Sequence, residues 1–202
     1  MIKAIIFDCV GVFTEKGLDK ALDIVSKEFG FDREKLEIEY KKLAKIANLG
    51  EITANEVFQT LITKFHVNTT VSEMRKVWID CYGEYPNPLV YDYAKELSKE
   101  YSICLFSNYS DAFDDLNKKL QLEKVFKSNK IFVSSKMKMK KPNKNAYNYV
   151  LGKIGFTAKE TVLIDDREDN FKEAYELGMH GVLFRDIDQL KTDFDKLVND
   201  KH

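Results

Sequence analysis

The chain has 202 residues, of which 44% are hydrophobic and 32% charged, a composition typical of soluble globular proteins. Its net charge of -1 gives no long-range field that would favour nucleic acid or an anionic membrane, and it has no apolar run of membrane-spanning length. The three cysteines are an odd number without the spacing of a metal site, which predicts a reducing compartment and a cytoplasmic protein.

The first element is an apolar run over residues 2–7, which predicts a buried strand of a parallel sheet. Asp8 follows this strand directly, and Gly11 lies three residues further on. Open α/β sheets bind ligands at the carboxyl ends of their strands, and glycine lets the backbone approach a small anion closely. Asp8 is therefore a candidate nucleophile or metal ligand. The alternative is a helix or turn cap, which aspartate also often provides.

A helical pattern of apolar residues replaces the strand pattern after residue 14 and continues for about seventy residues. Residues 53–56 and 70–73 have the sequence of capping boxes, each of which starts a helix with an apolar face. We therefore predict a compact helical insertion over residues 15–83.

Strands and helices alternate in the rest of the chain. Strands are predicted at residues 102–106, 131–133, 161–164 and 181–184. Such alternation predicts a parallel sheet with helical crossovers, and the first strand must belong to the same sheet. The predicted fold is α/β, with a Rossmann-like parallel sheet flanked by helices at residues 1–14 and 84–202 and an α-helical cap at 15–83.

Polar side chains follow the predicted strands or precede the next helix at four places. They are Asp8, Ser107 with Asn108, Lys141 before Pro142, and Asp165 with Asp166 and Asn170. Because the carboxyl ends of parallel strands converge on one edge of the sheet, these side chains are expected to form one site. Taken singly, the acidic pair is also consistent with a helix cap, the Ser-Asn pair with a turn, and the lysine with a solvated side chain.

This combination resembles the haloacid dehalogenase-like hydrolase superfamily, in the branch with a helical cap after the first strand. The four similar segments are residues 7–12 (FDCVGV), 105–108 (LFSN), 134–142 (SSKMKMKKP) and 163–170 (LIDDREDN). The resemblance covers the core at both ends of the chain. The cap matches only as a helical insertion that contains residues 48–53.

The resemblance implies a phosphomonoester hydrolase in which Asp8 attacks phosphorus and water then hydrolyses the aspartyl-phosphate. The expected substrate is a small phosphorylated metabolite, such as a sugar phosphate. Dehalogenation is disfavoured, because dehalogenases of this superfamily lack a metal and the acidic pair. Nothing in the sequence indicates the oligomeric state.

The resemblance also implies a role for each site residue. Mg²⁺ would be held by Asp8, the backbone carbonyl of Val10, Asp165 and Asp166, since hard cations prefer oxygen ligands. Lys141 would hold the phosphate and Asp8 in line, and Asn170 would support the acidic loop. The substrate-binding residues would be Ser107, Asn108 and Gly11.

Val10 departs from the family pattern, because most of its phosphatases have a second aspartate there as general acid and base. Three interpretations stay open. The protein hydrolyses substrates whose leaving group needs little protonation, such as a sugar 1-phosphate or an acyl phosphate. Alternatively, it is a catalytically silent member that binds phosphate and metal or acts as a regulatory interaction protein. The third interpretation is an engineered change.

Lysines replace an acidic residue and a glycine of the third family segment, at Lys136 and Lys138, and extend into a lysine-rich run. Such a run is either a basic rim that attracts a polyanionic substrate or a solvated loop, and we favour the loop. Nucleic-acid binding is not expected, because no aromatic residues alternate with these lysines. The candidates for selecting the substrate are Phe13, Thr14, Lys16 and Glu51.

Overall fold

The computed structural model describes residues 1–14, 17–83 and 87–199. Among these residues, one five-stranded sheet is formed by β1 (Ala4–Phe7), β2 (Ser102–Ser107), β3 (Ile131–Val133), β4 (Thr161–Asp165) and β5 (His180–Leu183). The strand order is β3-β2-β1-β4-β5, and every neighbouring pair is parallel. The predicted α/β fold with a Rossmann-like parallel sheet is therefore confirmed.

The helices lie between the strands and include a long series after the first strand. They are α1 (Gly17–Phe29), α2 (Arg33–Ala47), α3 (Ala54–Phe65), α4 (Val71–Gly83), α5 (Pro88–Leu97), α6 (Phe113–Leu120), α7 (Ser134–Met137), α8 (Lys144–Ile154), α9 (Phe171–Glu176) and α10 (Ile187–Asn199). Among the described residues, no helix combines the length and the apolar character needed to cross a membrane.

The central strand β1 is buried along its whole length, because it has a neighbour on each side and helices over each face. Ile5 and Phe7 point into one apolar cluster, which continues into α1–α4. Ala4 and Ile6 point into a second cluster on the other face, which α8 and α9 cover. This explains why β1 reads as a continuous apolar run and not as an alternating one.

Helices α2–α4 pack around Trp78, which is 2% exposed and whose ring lies against the rings of Tyr40, Phe58 and Tyr82. Both predicted capping boxes are present. The hydroxyl of Thr53 accepts from the backbone N–H of Glu56, whose carboxylate accepts from Thr53 N, and residues 70 and 73 repeat this pattern. The division into a core at 1–14 and 84–202 and a cap at 15–83 stays a prediction, and the boundary residues 15–16 and 84–86 lie outside the described residues.

The strand register decides which side chains meet at the carboxyl edge of the sheet. Phe7 pairs with Leu105 of β2 and with Ile164 of β4, and Asp8 N donates to the carbonyl of Ile164 at 2.8 Å. The residues that follow these positions therefore leave adjacent strands side by side. Asp165 is one of them, and it ends β4.

Candidate active site

Two aspartates share one buried lysine at the carboxyl edge of the sheet. Lys141 Nζ lies 2.7 Å from Asp8 Oδ1 and 2.6 Å from Asp165 Oδ2. The side chains of Lys141, Asp8 and Asp165 are only 1%, 9% and 0% exposed. Charge interactions are strong where water is excluded, so this arrangement holds the three groups together tightly. The two carboxylates exceed the single ammonium by one negative charge.

The strand register places the two carboxylates, and a loop brings the lysine to them. Asp8 follows β1 and Asp165 ends the neighbouring strand β4. Lys141 lies before α8, joined to Pro142 by a cis peptide bond. Asn108, just beyond β2, donates from Nδ2 to Lys141 O and accepts from Lys141 N, both at 2.9 Å. Its side-chain amide therefore holds the lysine backbone, and its predicted contact with substrate stays a prediction.

Asp165 is also fixed from the opposite side. Asn170 Nδ2 lies 2.9 Å from each of its carboxylate oxygens, and the backbone N–H of Arg167 donates to Oδ1 at 2.9 Å. The hydroxyl of Tyr147, on α8, donates to Asn170 O at 2.6 Å. The sequence pattern identifies Tyr147 only as a core residue, and no signal in it reveals the bond to Asn170. These contacts leave Asp165 one orientation, with one edge toward Lys141.

Asp8, Asp165 and Asp166 together have the geometry of a cation site. One carboxylate oxygen from each lies within 4.8 Å of the others. Gly11 makes room for this cluster, since a Cβ on it would lie 2.5 Å from Asp166 Cγ. Its φ of +95° is also one that side-chain-bearing residues rarely adopt. Three hard oxygen donors fit a hard divalent cation such as Mg²⁺.

Burial and the neighbouring charges shift the pKa values of Asp8 and Lys141. Burial raises the pKa of Asp8 to about 7, Lys141 opposes this, and Asp165 adds to it. Burial alone would lower the pKa of Lys141, but Asp165 and Asp8 raise it above its ordinary value. Lys141 therefore stays charged at neutral pH. Burial, together with the nearby charge of Asp165, makes the ionised form of Asp8 unfavourable.

The remaining predicted site residues lie around Asp8. Ser107 ends β2 and is 1% exposed. Val10 is partly buried, packs against the apolar core and forms a parallel bridge with Thr14. The hydroxyl of Thr14 accepts from Gly11 N at 3.2 Å, which closes the loop after β1. No acidic side chain stands at position 10.

The lysines of the run other than Lys141 lie at or near the surface, but they have partners and do not form a free basic rim. Lys136 pairs with Asp114 at 2.6 Å and Lys144 with Glu176 at 2.5 Å, so their charges are compensated. The other two lysines reach the end of α2: Lys138 Nζ donates to Gly50 O and Lys140 Nζ to Lys45 O, the latter at 3.4 Å. The run therefore ties the loop before Lys141 to the helical segment.

Of the residues expected to select the substrate, Phe13 does not line an open site. It is fully buried, and its ring packs against those of Phe7, Tyr91 and Phe126. Glu51 is exposed in the connection between α2 and α3. Lys16 lies outside the described residues.

The chain is similar to several known proteins. The family model for haloacid dehalogenase-like hydrolases matches residues 2–174. Flavin mononucleotide hydrolase 1 of Arabidopsis thaliana is 32% identical over 98 residues, which are 48% of this chain and 39% of the relative. The chain thus matches well under half of that relative's length.

Solved structures of lower sequence identity have the same fold. A haloacid dehalogenase-like family hydrolase of Porphyromonas gingivalis superposes with a TM-score of 0.81 at 21% identity, covering 100% of both chains. A family enzyme of Bacteroides thetaiotaomicron, solved as a magnesium complex, has a TM-score of 0.77 at 23% identity over 91% of this chain and 93% of that one. At such identities the similarity shows the fold alone.

Proposed function

Because the chain belongs to the haloacid dehalogenase-like hydrolase family, we propose that it is a Mg²⁺-dependent phosphomonoester hydrolase acting through an aspartyl-phosphate on Asp8. The observation that carries the proposal is the sharing of Lys141 by Asp8 and Asp165, at 2.7 and 2.6 Å in a buried site. Further support comes from the relative named as a flavin mononucleotide hydrolase. The B. thetaiotaomicron enzyme, moreover, was also solved with magnesium and inorganic phosphate.

The chemistry begins at the carboxylate of Asp8. One of its oxygens attacks phosphorus, and the bond from phosphorus to the leaving oxygen breaks with its electron pair on that oxygen. Water then attacks the phosphorus of the aspartyl-phosphate, and its protons pass to the departing phosphate and to solvent. The bond to Asp8 breaks, its carboxylate is restored, and phosphate leaves with the oxygen of the water.

The surrounding residues position the phosphoryl group and balance its charge, which is most of what phosphoryl transfer needs from a protein. Lys141 holds Asp8 in line and faces the incoming phosphoryl oxygens. Ser107 donates from its hydroxyl and the Gly11 loop approaches from the other side, whereas Asn108 acts through its hold on Lys141. These substrate contacts are our assignment.

The cluster of carboxylates is the proposed site for Mg²⁺. Asp8, Asp165, Asp166 and the carbonyl oxygen of Val10 would hold Mg²⁺, which when bound neutralises phosphoryl charge and orients the group. Asn170 and the backbone N–H of residue 167 keep Asp165 turned toward this place.

Val10 narrows the range of substrates. General acid–base catalysis contributes typically about 10²–10⁴-fold, and a valine side chain can neither give nor take a proton. The leaving oxygen must therefore depart as a stable anion. Small metabolites with such a leaving group, acyl phosphates and sugar 1-phosphates among them, are the substrates that we propose.

The helical segment at residues 15–83 is the proposed cap over this site. Its α2–α3 connection contacts the segment before Lys141, through Ser134 to Asn48 at 2.6 Å and through Lys138 to Gly50. A cap in this position excludes water from the phosphoryl group and contributes to substrate choice.

Val10 also favours a second candidate function. A member of the family without a general acid can keep its anion and metal site and act as a binding or regulatory protein. Such a protein would bind Mg²⁺ with inorganic phosphate and yet release none from a substrate.

The test is phosphate release in Mg²⁺ from acyl phosphates, sugar 1-phosphates, sugar 6-phosphates and an aryl phosphate. It is made with the wild type, Asp8→Asn and Val10→Asp. The proposal predicts release from acyl phosphates, sugar 1-phosphates and the aryl phosphate, whose leaving oxygens are the more stable anions. It also predicts that Asp8→Asn abolishes this release and that Val10→Asp extends it to sugar 6-phosphates. Release from Val10→Asp alone would support the binding protein, and silence of all three would overturn the enzyme.

A further inference from the structure

Helix α4 of the helical segment lies against helix α6 of the sheet-bearing part, and two ion pairs cross between them. Arg75 Nε lies 2.7 Å from Asp115 Oδ2, and Lys119 Nζ lies 2.5 Å from Asp80 Oδ1. Along α4 the positive Arg75 precedes the negative Asp80, whereas along α6 the negative partner of Arg75 precedes the positive partner of Asp80. Sliding one helix along the other would bring like charges together, so the pairs define one register.

We call this contact between α4 and α6, with its two ion pairs, the seam. A third contact joins the seam to the site. Asp111 lies three residues beyond Asn108, and its Oδ1 accepts from the backbone N–H of Ala54, the first residue of α3, at 2.6 Å. Its Oδ2 lies 3.9 Å from Nη1 of Arg75. A carboxylate at a helix N-terminus is electrostatically favourable. The turn that positions Lys141 through Asn108 thus also holds the start of α3.

The other end of the α2–α3 connection is bonded to the same turn. Ser134 Oγ donates to Asn48 O at 2.6 Å and accepts from the backbone N–H of Tyr109 at 3.0 Å. The connection between α2 and α3 is therefore held at both ends by residues next to those that hold Lys141.

The crossing ion pairs are weak enough to be broken and remade. Arg75 is 22% exposed, and Asp80, Asp115 and Lys119 are each 41% exposed. An ion pair at such exposure changes an equilibrium constant by about 1.5- to 5-fold. Two such pairs bias a position without locking it, as substrate entry and product release require.

We infer that Arg75, Asp80, Asp111, Asp115 and Lys119 form a reversible latch that sets the closed position of α1–α4 over the Asp8–Lys141 site. These are positioning residues. The inference rests on the proposed function only for what the closed position serves. Closure and the placement of Lys141 are coupled, because residues 108–111 take part in both.

Charge exchange across the seam tests the latch. Asp80→Lys and Lys119→Asp each place like charges opposite one another, and the double variant restores an ion pair with reversed polarity. Hydrogen exchange followed by mass spectrometry is measured on peptides that cover residues 48–54 and 107–111. Each single variant is expected to exchange about two- to fivefold faster there, and the double variant to return toward the wild type.

A matched control comes from the other face of the sheet. Glu176 of α9 pairs with Lys144 of α8 at 2.5 Å, an ion pair of similar length and exposure to that of Asp80 with Lys119. Glu176→Lys is expected to leave exchange at residues 48–54 unchanged. The latch is overturned if the seam variants leave exchange unaltered, if the double variant does not recover, or if Glu176→Lys has the same effect.

Steady-state hydrolysis of an acyl phosphate gives the second readout. The latch predicts a lower kcat in each single variant and recovery in the double variant, whereas a merely structural role would lower the amount of folded protein and leave kcat per folded molecule unchanged. If the wild type releases no phosphate, the proposed function fails, and the exchange data still decide the latch.

Discussion

Asn108 binds the backbone of Lys141 on both sides, accepting from its N–H and donating to its carbonyl, each at 2.9 Å. The lysine side chain then extends to Asp8 and Asp165. The side-chain amide of Asn108, just beyond β2, therefore helps to place the Lys141 ammonium. Asn108→Ala removes both bonds and leaves Lys141 the freedom to move, while its charge is unchanged.

We expect kcat for an acyl phosphate to fall about tenfold or more in Asn108→Ala, since about 1.4 kcal/mol of lost positioning corresponds to tenfold. Exposed Asn148→Ala on α8 is the control and should keep wild-type kcat. An unchanged kcat in Asn108→Ala would show that Lys141 is placed by other contacts.

Removing the ammonium tests the charge balance. Lys141→Met leaves Asp8 and Asp165 buried without a cation, which typically costs about 3–5 kcal/mol. Urea denaturation should show a loss of that order in Mg²⁺-free buffer. Above pH 7, where Asp8 is ionised, the double variant Lys141→Met with Asp8→Asn should recover part of it, because one of the two like charges is gone. Equal stability of the single and double variants would contradict the arrangement in which Asp8 and Asp165 share Lys141.

The raised pKa of Asp8 predicts a pH-dependent stability. The folded protein keeps this carboxyl protonated up to about pH 7, whereas the ordinary pKa is 3.8, so folding loses stability as pH rises between these values. Asp8→Asn does not titrate. Without Mg²⁺, its free energy of unfolding should exceed that of the wild type by an amount that grows by about 1.4 kcal/mol for each unit of rising pH across this window. A difference that is constant with pH would refute the shift.

The glycine beside Asp166 offers a clean comparison. Gly11→Ala places a Cβ 2.5 Å from Asp166 Cγ at a φ of +95°, whereas Gly155→Ala has a φ of +81° and nothing within 4 Å. Both variants should lose about 1–2 kcal/mol of stability from backbone strain. Calorimetry should show weakened Mg²⁺ binding in Gly11→Ala alone. Equal Mg²⁺ affinity in the two variants would exclude Gly11 from the metal site.

The meeting of Asp8 with Asp165 was predictable from the sequence, because both follow buried apolar runs and parallel strands end at the same edge. The helical segment was predictable for a similar reason, since its apolar residues repeat at helical spacing and its capping boxes have local signatures. These features depend on the local chain and on the general geometry of parallel sheets.

Contacts between distant loops were not predictable in this way. The partner of Asn108, the capping of α3 by Asp111 and the bond from Ser134 to Asn48 join segments far apart in the sequence. Phe13 illustrates the same limit, since its place in the loop after β1 suggested the site, whereas tertiary packing puts its ring among core rings. The sequence favours a solvated loop around Lys138 and Lys140 and does not reveal that both contact carbonyl oxygens near the end of α2.

The most direct test of the central claim is to trap the covalent intermediate. The wild type in Mg²⁺ is mixed with a phosphorus-labelled acyl phosphate and quenched in acid within milliseconds, and the peptide that contains residues 1–14 is analysed by mass spectrometry. The account predicts a phosphorylated Asp8 that turns over with the rate of hydrolysis, and no label in Asp8→Asn. Hydrolysis that persists in Asp8→Asn, or label on another residue, would contradict it.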